Sequence, residues 1–135
     1  MGVYTGNYSN PSPALAHIPI VLGISFKDPL TGASFKDDAL IDTGADFSTI
    51  PSRFISQYNL SPTNKVAAAL PDGKTQQCYA YTLEVTVPGL TATSEEFIDY
   101  GFNEIILGRP ILNNWMITLD PAHKNPGGAG IRIQD

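Results

Sequence analysis

Glycine and proline recur along the whole chain and divide it into short apolar segments. The 135 residues include 12 glycines and 11 prolines, and turn-forming runs such as KDPLTGASF and LPDGKT separate the segments. Several segments alternate apolar and polar side chains, as in YTLEVTV, which is the pattern of a half-buried strand. The predicted strands are Ile18–Phe26, Ala39–Ile41, Tyr79–Val87, Glu104–Leu107, Met116–Leu119 and Ile131–Ile133.

Helical periodicity is scarce in this sequence. Residues Ser52–Tyr58, which follow Pro51, can form one or two helical turns. The stretch RPILNNW is typical of a short helix with Pro110 in its first turn, where the missing N–H is tolerated. The sequence therefore predicts a mostly β domain with one or two short helices.

The size and charge of the chain limit what it can be. A length of 135 residues fits one domain, which we place at residues 17–135, after an N-terminal segment (1–16) that is either flexible or a peripheral strand. The net charge of −5 argues against nucleic-acid binding, for which a basic stripe is expected. No apolar run approaches the roughly 18 residues of a membrane-spanning helix, and no secretory leader is visible. We therefore expect a cytoplasmic protein, with a membrane-anchored parent protein as the open alternative.

One acidic residue, Asp42, stands in an unusual setting within ALIDTGADFSTIP, which runs from Ala39 to Pro51. The apolar run before it predicts a buried strand, and we expect its carboxylate to be desolvated at the strand end. Gly44 and Ala45 are small enough to let another backbone come close. An Asp-Thr-Gly turn without catalytic meaning remains the alternative, because this tripeptide also occurs by chance and Asp and Gly both favour turns.

Two further motifs follow Asp42 along the chain. In EIILGRPIL, Gly108 comes at the end of an apolar run, where a glycine lets the strand pass beneath the acid-bearing loop without a clash. Between Asp42 and this motif lies VAAALPDGKTQQCYAYTLEV, with strand-like arms around Pro71-Asp72-Gly73-Lys74. This pattern predicts a hairpin with a polar, projecting tip.

In this order and spacing, the three motifs resemble the retropepsin-like (retroviral-type) aspartic protease family. The resemblance covers roughly Ile18 to Asp120, with IRIQD as a closing strand. It implies an all-β fold: a closed acid-protease barrel with a flap hairpin and one short C-terminal helix, assembled as a two-fold homodimer. Each copy would donate one Asp42, because 135 residues are too few for a two-lobed protease that carries both acids.

The resemblance also implies a chemistry and a set of roles. Two Asp42 carboxylates would share one proton and activate a water that attacks an extended peptide. Thr43 would bond across the dimer, Gly44 would present its backbone to substrate, and Asp46 would bind the substrate backbone and pair with Arg109. The implied catalytic group is Asp42, Thr43 and Gly44; the implied substrate-binding group is Ala45, Asp46, Leu70, Pro71, Asp72 and Gly73; the implied structural support is Gly108 and Arg109.

Other chemistries have weaker support in the sequence. His17 and His123 stand alone, so neither a metal nor a cofactor is predicted. Cys78 is the single cysteine and lacks a nearby histidine, which disfavours a cysteine protease and rules out an intrachain disulfide. Two alternatives stay open: a non-catalytic dimerisation or peptide-binding module with the same fold, and a monomer that pairs only on activation.

Overall fold

The computed structural model describes residues 2–9, 18–69, 72–122 and 130–135. Within them the chain forms eleven strands and two helices. The strands are β1 (Val3–Gly6), β2 (Tyr8–Ser9), β3 (Ile18–Lys27), β4 (Ser34–Ile41), β5 (Ser48–Thr49), β6 (Asn64–Ala69), β7 (Thr75–Thr86), β8 (Thr93–Ile98), β9 (Ile105–Leu107), β10 (Met116–Leu119) and β11 (Ile131–Gln134). The helices are α1 (Ser52–Tyr58) and α2 (Arg109–Leu112).

The mostly β prediction is confirmed, and all six predicted strands are present. Both predicted helical stretches are helices: α1 has the predicted bounds Ser52–Tyr58, and α2 is the short C-terminal helix. Helix α1 ends where Asn59 takes a left-handed conformation (φ 50°) and its N–H bonds the Ile55 carbonyl. Helix α2 has Pro110 in its first turn, as the sequence predicts.

Eight strands form one sheet that closes on itself. Their order is β2-β3-β4-β9-β5-β8-β7-β6, and β3 also pairs with β7. Phe26 of β3 is the joint of this closure, since it lies opposite Phe35 of β4 and also opposite Val85 of β7. The ring β3-β4-β9-β5-β8-β7 is therefore a barrel with β6 and β2 added outside it.

Aromatic side chains fill one end of the barrel core. The Phe35 ring stacks on Phe26 (centroids 5.1 Å apart), on Phe54 (5.3 Å) and on Tyr58 (4.4 Å). Because Phe54 and Tyr58 belong to α1, this stack fixes the helix against the barrel.

A second sheet contains both ends of the described chain, in the order β1-β11-β10. Its inward side chains include Tyr4, Ile131 and Ile133, all buried in the main core. Strand β11 has a neighbour on each side within the same chain, β1 through Tyr4–Ile133 and β10 through Ile117–Ile133. In the predicted N-terminal segment (1–16), Val3–Gly6 and Tyr8–Ser9 are strands. Residues 10–16 lie outside the described residues, and the domain boundary at residue 17 stays a prediction.

Asp135 ties this terminal sheet to the turn between β7 and β8. Its Oδ2 accepts a hydrogen bond from the Thr91 N–H (2.7 Å) and its Oδ1 accepts one from the Gly2 N–H (2.6 Å). These backbone donors, Thr91 first and then Gly2, lower the pKa of Asp135 from 3.8 to about 2. The ionised carboxylate therefore stabilises the fold at pH values above the unfolded-state pKa of 3.8. This contribution is lost as the pH falls through the folded-state pKa of about 2.

This linkage gives a prediction for Asp135→Asn. The amide can still accept one hydrogen bond but carries no charge, so the unfolding temperature should fall relative to wild type near neutral pH. The difference should shrink as pH falls below 3.8 and disappear only below about pH 2, where most wild-type molecules carry a protonated carboxyl. Thermal unfolding of both proteins along a pH series measures this. A difference that stays constant at every pH would mean that the charge of Asp135 has no part in the effect.

Candidate active site

Asp42 lies directly after β4, at the point where this strand leaves the barrel. Strand β4 pairs in parallel with β9, and the Asp42 N–H extends that ladder by donating to the Leu107 carbonyl (3.1 Å). The Asp42 carbonyl accepts from the Ala45 N–H (3.2 Å), which closes a turn. Within this turn, Oδ1 of Asp42 accepts a hydrogen bond from the Gly44 N–H (3.0 Å). The carboxylate is thus oriented by its own loop.

The expectation that Asp42 is desolvated is wrong for the single chain. Ile41 is buried, but Asp42, Thr43 and Gly44 are all exposed. The reason is geometric, since burial ends with the last residue of β4 and the loop emerges from the barrel surface. A carboxylate in this position keeps its hydration and is accessible to a second molecule.

Gly108 lies beneath the Asp42 loop, as the sequence predicts. A Cβ at this position would lie 2.7 Å from the carbonyl carbon of Phe47, closer still to its oxygen, and 3.1 Å from the Ala45 carbonyl oxygen. Real Cβ atoms do not approach backbone this closely, so only glycine fits. The prediction that Gly108 permits a close backbone approach is confirmed.

Backbone hydrogen bonds fasten the loop to the chain segment around Gly108. The Arg109 N–H donates to the Ala45 carbonyl (3.0 Å), and the Gly108 N–H donates to the buried hydroxyl of Ser48 (2.9 Å). Sequence reasoning missed Ser48, whose signal is a hydroxyl residue placed in the buried strand β5. With the Asp42–Leu107 bond, these contacts hold the acid at a fixed place relative to β9.

The predicted contact between Asp46 and Arg109 is present as an ion pair between Oδ1 and Nη2. Both side chains are exposed, at 74% and 52% of their surface. Exposed ion pairs contribute little to stability, about 0 to 1 kcal/mol. The pair therefore orients these side chains at the rim of the loop more than it stabilises the fold.

The hairpin predicted around Pro71-Asp72-Gly73-Lys74 is formed by β6 and β7. The two strands pair antiparallel from Asn64–Ala80 to Ala69–Thr75. At its tip, Oδ1 of Asp72 accepts from the Lys74 N–H (2.9 Å), and Gly73 has φ 84°. Leu70 and Pro71 lie outside the described residues, and the role of the hairpin as a flap stays a prediction.

A groove of about 450 Å³ lies between the Asp42 loop, the β8–β9 connection and Ala69, which is at the tip end of the β6–β7 hairpin. Four predicted site residues line it: Asp42, Gly44, Ala45 and Asp46. Its other lining residues are Phe47, Thr49, Ala69, Tyr100, Phe102 and Ile106. Thr43, Asp72 and Gly73 are exposed and are not among the lining residues, whereas Gly108 and Arg109 support the loop. The structure therefore brings the predicted acid and its loop to a groove whose aromatic members were not foreseen.

The structure resembles that of EIAV protease complexed with the inhibitor HBY-793, at a TM-score of 0.54 and 18% sequence identity. The match covers 76% of this chain and 92% of that one. The protease of simian foamy virus (mac) matches at a TM-score of 0.47 and 21% identity, over 68% of this chain and 90% of its own. A foamy viral protease–reverse transcriptase in complex with an RNA/DNA hybrid matches at 0.47 and 19%, over 71% of this chain and 12% of its own. No protein-family model and no curated protein matches the chain.

The likeness to EIAV protease, which spans most of both chains, decides the fold. The chain has a retropepsin-like fold. The resemblance predicted from the three sequence motifs is thereby confirmed at the level of the fold. In this retropepsin-like barrel, Asp42 lies where β4 leaves the sheet, and Gly108 lies directly after the strand paired with β4.

In the described residues outside this groove, few groups suggest another chemistry. Burial raises the pKa of the Cys78 thiol, and the Asp99 carboxylate raises it further, so the sulfur is held in its neutral, less nucleophilic form. In the described part of the chain, no three His, Cys, Asp or Glu side chains come together as a possible metal site. His17 and His123 lie outside the described residues. None of the helices described here is long and apolar enough to cross a membrane.

Proposed function

We propose that this protein is an aspartic endopeptidase that works as a homodimer, with Asp42 of each copy as its catalytic acid. The observation that carries the proposal is the state of the two carboxylates lining the groove. Both are exposed, but Asp46 is occupied by its ion pair with Arg109, whereas Asp42 is oriented by the Gly44 N–H of its own loop. Peptide hydrolysis by carboxylates needs two such groups, so a second Asp42 must come from another copy.

The mechanism follows from bringing two Asp42 carboxylates within a few Å of each other. Two charges at that distance do not both persist, so the pair holds one proton. The ionised member accepts a proton from a bound water as its oxygen attacks the peptide carbonyl carbon, while the protonated member donates a hydrogen bond to the carbonyl oxygen. The C–N bond then breaks, the nitrogen takes a proton from the pair, and the products are a carboxylate and an amine.

The substrate that suits the groove is an extended peptide. It would lie between the Asp42 loop and the β6–β7 hairpin, and bind by strand-like main-chain hydrogen bonds with alternate side chains in pockets. The exposed hairpin tip, with Asp72 and Gly73, would close over the peptide and exclude water. We assign Thr43 to the contact between the two loops, since it is exposed beside Asp42.

The terminal sheet limits how the two copies can meet. Because β11 is paired on both sides within its own chain, a partner strand cannot be added to it without displacing β1 or β10. We therefore expect a dimer in which each copy keeps its own N-terminal strand. The alternative function is a peptide-binding module, because a single chain already has the groove and could bind a peptide without cutting it.

The test is proteolysis measured together with assembly state. Unfolded casein is incubated with the protein from about pH 3 to about pH 7, at several protein concentrations. Sedimentation velocity at the same concentrations gives the fraction of dimer. We expect cleavage whose specific activity rises with the dimer fraction. Full activity from a sedimenting monomer would contradict the two-copy site, and dimers that never cut casein would favour the peptide-binding module.

A further inference from the structure

A cavity of about 200 Å³ lies where β3, β4, α1 and the start of β9 meet. Ile18, Ile20 and Leu40 supply apolar lining, and the exposed side chains of Asp38 and Glu104 line it with carboxylates. This volume is below the roughly 300 to 1,000 Å³ of pockets that hold drug-sized ligands, so the cavity suits a single long side chain. We call Ile18, Ile20, Asp38, Leu40 and Glu104 the acidic cleft.

The acidic cleft lies on the same face of β4 as the proposed catalytic acid. Side chains alternate along a strand, so Asp38, Leu40 and Asp42 share one face. Ile20 lies opposite Leu40 in the β3–β4 ladder, and continuing this register by two residues places Ile18 opposite Asp42. An extended peptide that passes Asp42 can therefore reach the cleft with one of its side chains.

The two carboxylates of the acidic cleft can accept hydrogen bonds from a cation. Oδ1 of Asp38 accepts from the Gly23 N–H (2.9 Å) at the bulge in β3, which orients the side chain and leaves Oδ2 for another donor. Asp37 also lines the cavity, but it lies on the core-facing side of β4 with Ala39, and its Oδ1 accepts from the Asp38 N–H (2.7 Å). The exposed charge of the cleft therefore comes from Asp38 and Glu104.

Arg53 lines the cavity too, but its guanidinium is held elsewhere. Nη1 donates a hydrogen bond to the Asn103 carbonyl, and the guanidinium lies over the Phe54 ring, 4.8 Å from its centroid. Among the described residues, Arg53 forms no ion pair with Asp38 or Glu104, so the lining keeps an excess of negative charge. No three His, Cys, Asp or Glu side chains in the described ranges converge as a metal site, so a charged side chain is a better occupant than a metal ion.

We propose that the acidic cleft binds a lysine or arginine side chain of the substrate, at a position removed from the bond that is cut. This inference rests on the proposed endopeptidase function and specifies its substrate class. The aliphatic stem would lie against Ile20 and Leu40, with its charged end beside the carboxylates of Asp38 and Glu104. Asp38 precedes Asp42 by about 13 Å along β4, and an extended peptide rises by about 3.3 Å per residue. Because the basic side chain itself spans part of that distance, we expect it about two to four residues from the cut bond.

The experiment uses unstructured peptides in which one side chain is lysine, norleucine or glutamate, at each position in turn around one cut bond. Norleucine keeps the aliphatic stem of lysine but carries no charge. At the position that reaches the cleft, we expect lysine to raise kcat/KM about fivefold over norleucine, and glutamate to lower it. Added salt should reduce this preference, because the charges are exposed. A general attraction between an acidic protein and basic peptides would instead favour lysine at every position alike.

Charge-removing variants test the cleft without changing its shape. Asp38→Asn combined with Glu104→Gln should bring the ratio of lysine to norleucine close to one, and the asparagine oxygen can still accept from the Gly23 N–H. Glu104→Gln alone should lower the ratio part of the way. Its matched control is Glu96→Gln, the same change at an exposed position of β8 that does not line the cavity, and this variant should keep the wild-type ratio.

The outcomes separate this inference from the proposed function. If peptides are cut but lysine brings no gain, an equal gain at every position, or a gain that survives in the double variant, the acidic cleft does not select basic residues although the endopeptidase stands. If no peptide is cut, fluorescence anisotropy of the same peptides measures binding instead. A position-dependent preference for lysine that the double variant loses would then support the cleft in a binding module, and equal affinities or no binding would overturn it.

Discussion

Replacing Asp42 with asparagine is expected to abolish peptide cleavage while leaving the fold intact. Asparagine has the same shape and can still accept the hydrogen bond from the Gly44 N–H, but it cannot take a proton from water. The loss of a general base should lower the rate by roughly a thousandfold or more. Because Asp42 is exposed, the free energy of unfolding should change by less than about 0.5 kcal/mol.

The matched control is Asp37→Asn, on the strand that leads to Asp42. The Oδ1 of Asp37 accepts a hydrogen bond from the Asp38 N–H (2.7 Å), which an asparagine oxygen can replace, and Asp37 does not line the groove. This variant should cleave at the wild-type rate. If Asp42→Asn also cleaved at that rate, another residue would be the catalytic acid.

Mixing the two forms tests the symmetry of the site. A dimer of one wild-type chain and one Asp42→Asn chain has a single carboxylate and cannot share a proton between two acids. Excess variant should therefore lower the activity of a fixed amount of wild-type protein. An unchanged or higher activity would place the whole catalytic site within one chain.

The two acids that follow strands in the first part of the chain show where local sequence reasoning fails. Asp28 precedes a Pro-Leu-Thr-Gly turn and gives the pattern of an ordinary hairpin, yet it is only 1% exposed. Its carboxylate accepts from the Leu30 N–H (2.8 Å) and from the Ser61 N–H (2.9 Å), 33 residues further on. Asp42, expected to be buried, is exposed. Burial of an acid depends on distant donors, which a local pattern does not contain.

The strands and the site loop were predictable because their signals are local. Alternation of apolar and polar residues locates the strands, and a glycine at the end of an apolar run marks Gly108 as a position of close backbone approach. A closed barrel was expected from the family resemblance alone, because the pairing of Phe26 with Val85 that closes β3 on β7 joins segments far apart in sequence and no local pattern predicts it. The aromatic lining of the groove was missed because Phe47 and Tyr100 are far apart in sequence and meet only in the folded chain.

Gly108→Ala is expected to destabilise the protein more than an ordinary glycine substitution does. The added methyl group would meet the Phe47 and Ala45 carbonyls, and this backbone cannot easily move, because the Ala45 carbonyl also accepts from the Arg109 N–H. Overpacking against fixed atoms costs about 3 kcal/mol. Urea unfolding followed by fluorescence of Trp115, the single tryptophan, measures the change at a fixed protein concentration.

Gly32→Ala provides the control for backbone strain without a clash. Gly32 has φ 78°, and a Cβ there would have nothing within 4 Å, so its cost should be about 1 kcal/mol. A larger loss for Gly108→Ala would isolate the clash with the Asp42 loop, and equal losses would contradict it. In those Gly108→Ala molecules that stay folded, relief of the clash must displace the loop. Since a misplacement of about 1 Å can cost a hundredfold in rate, cleavage should fall even where structure survives.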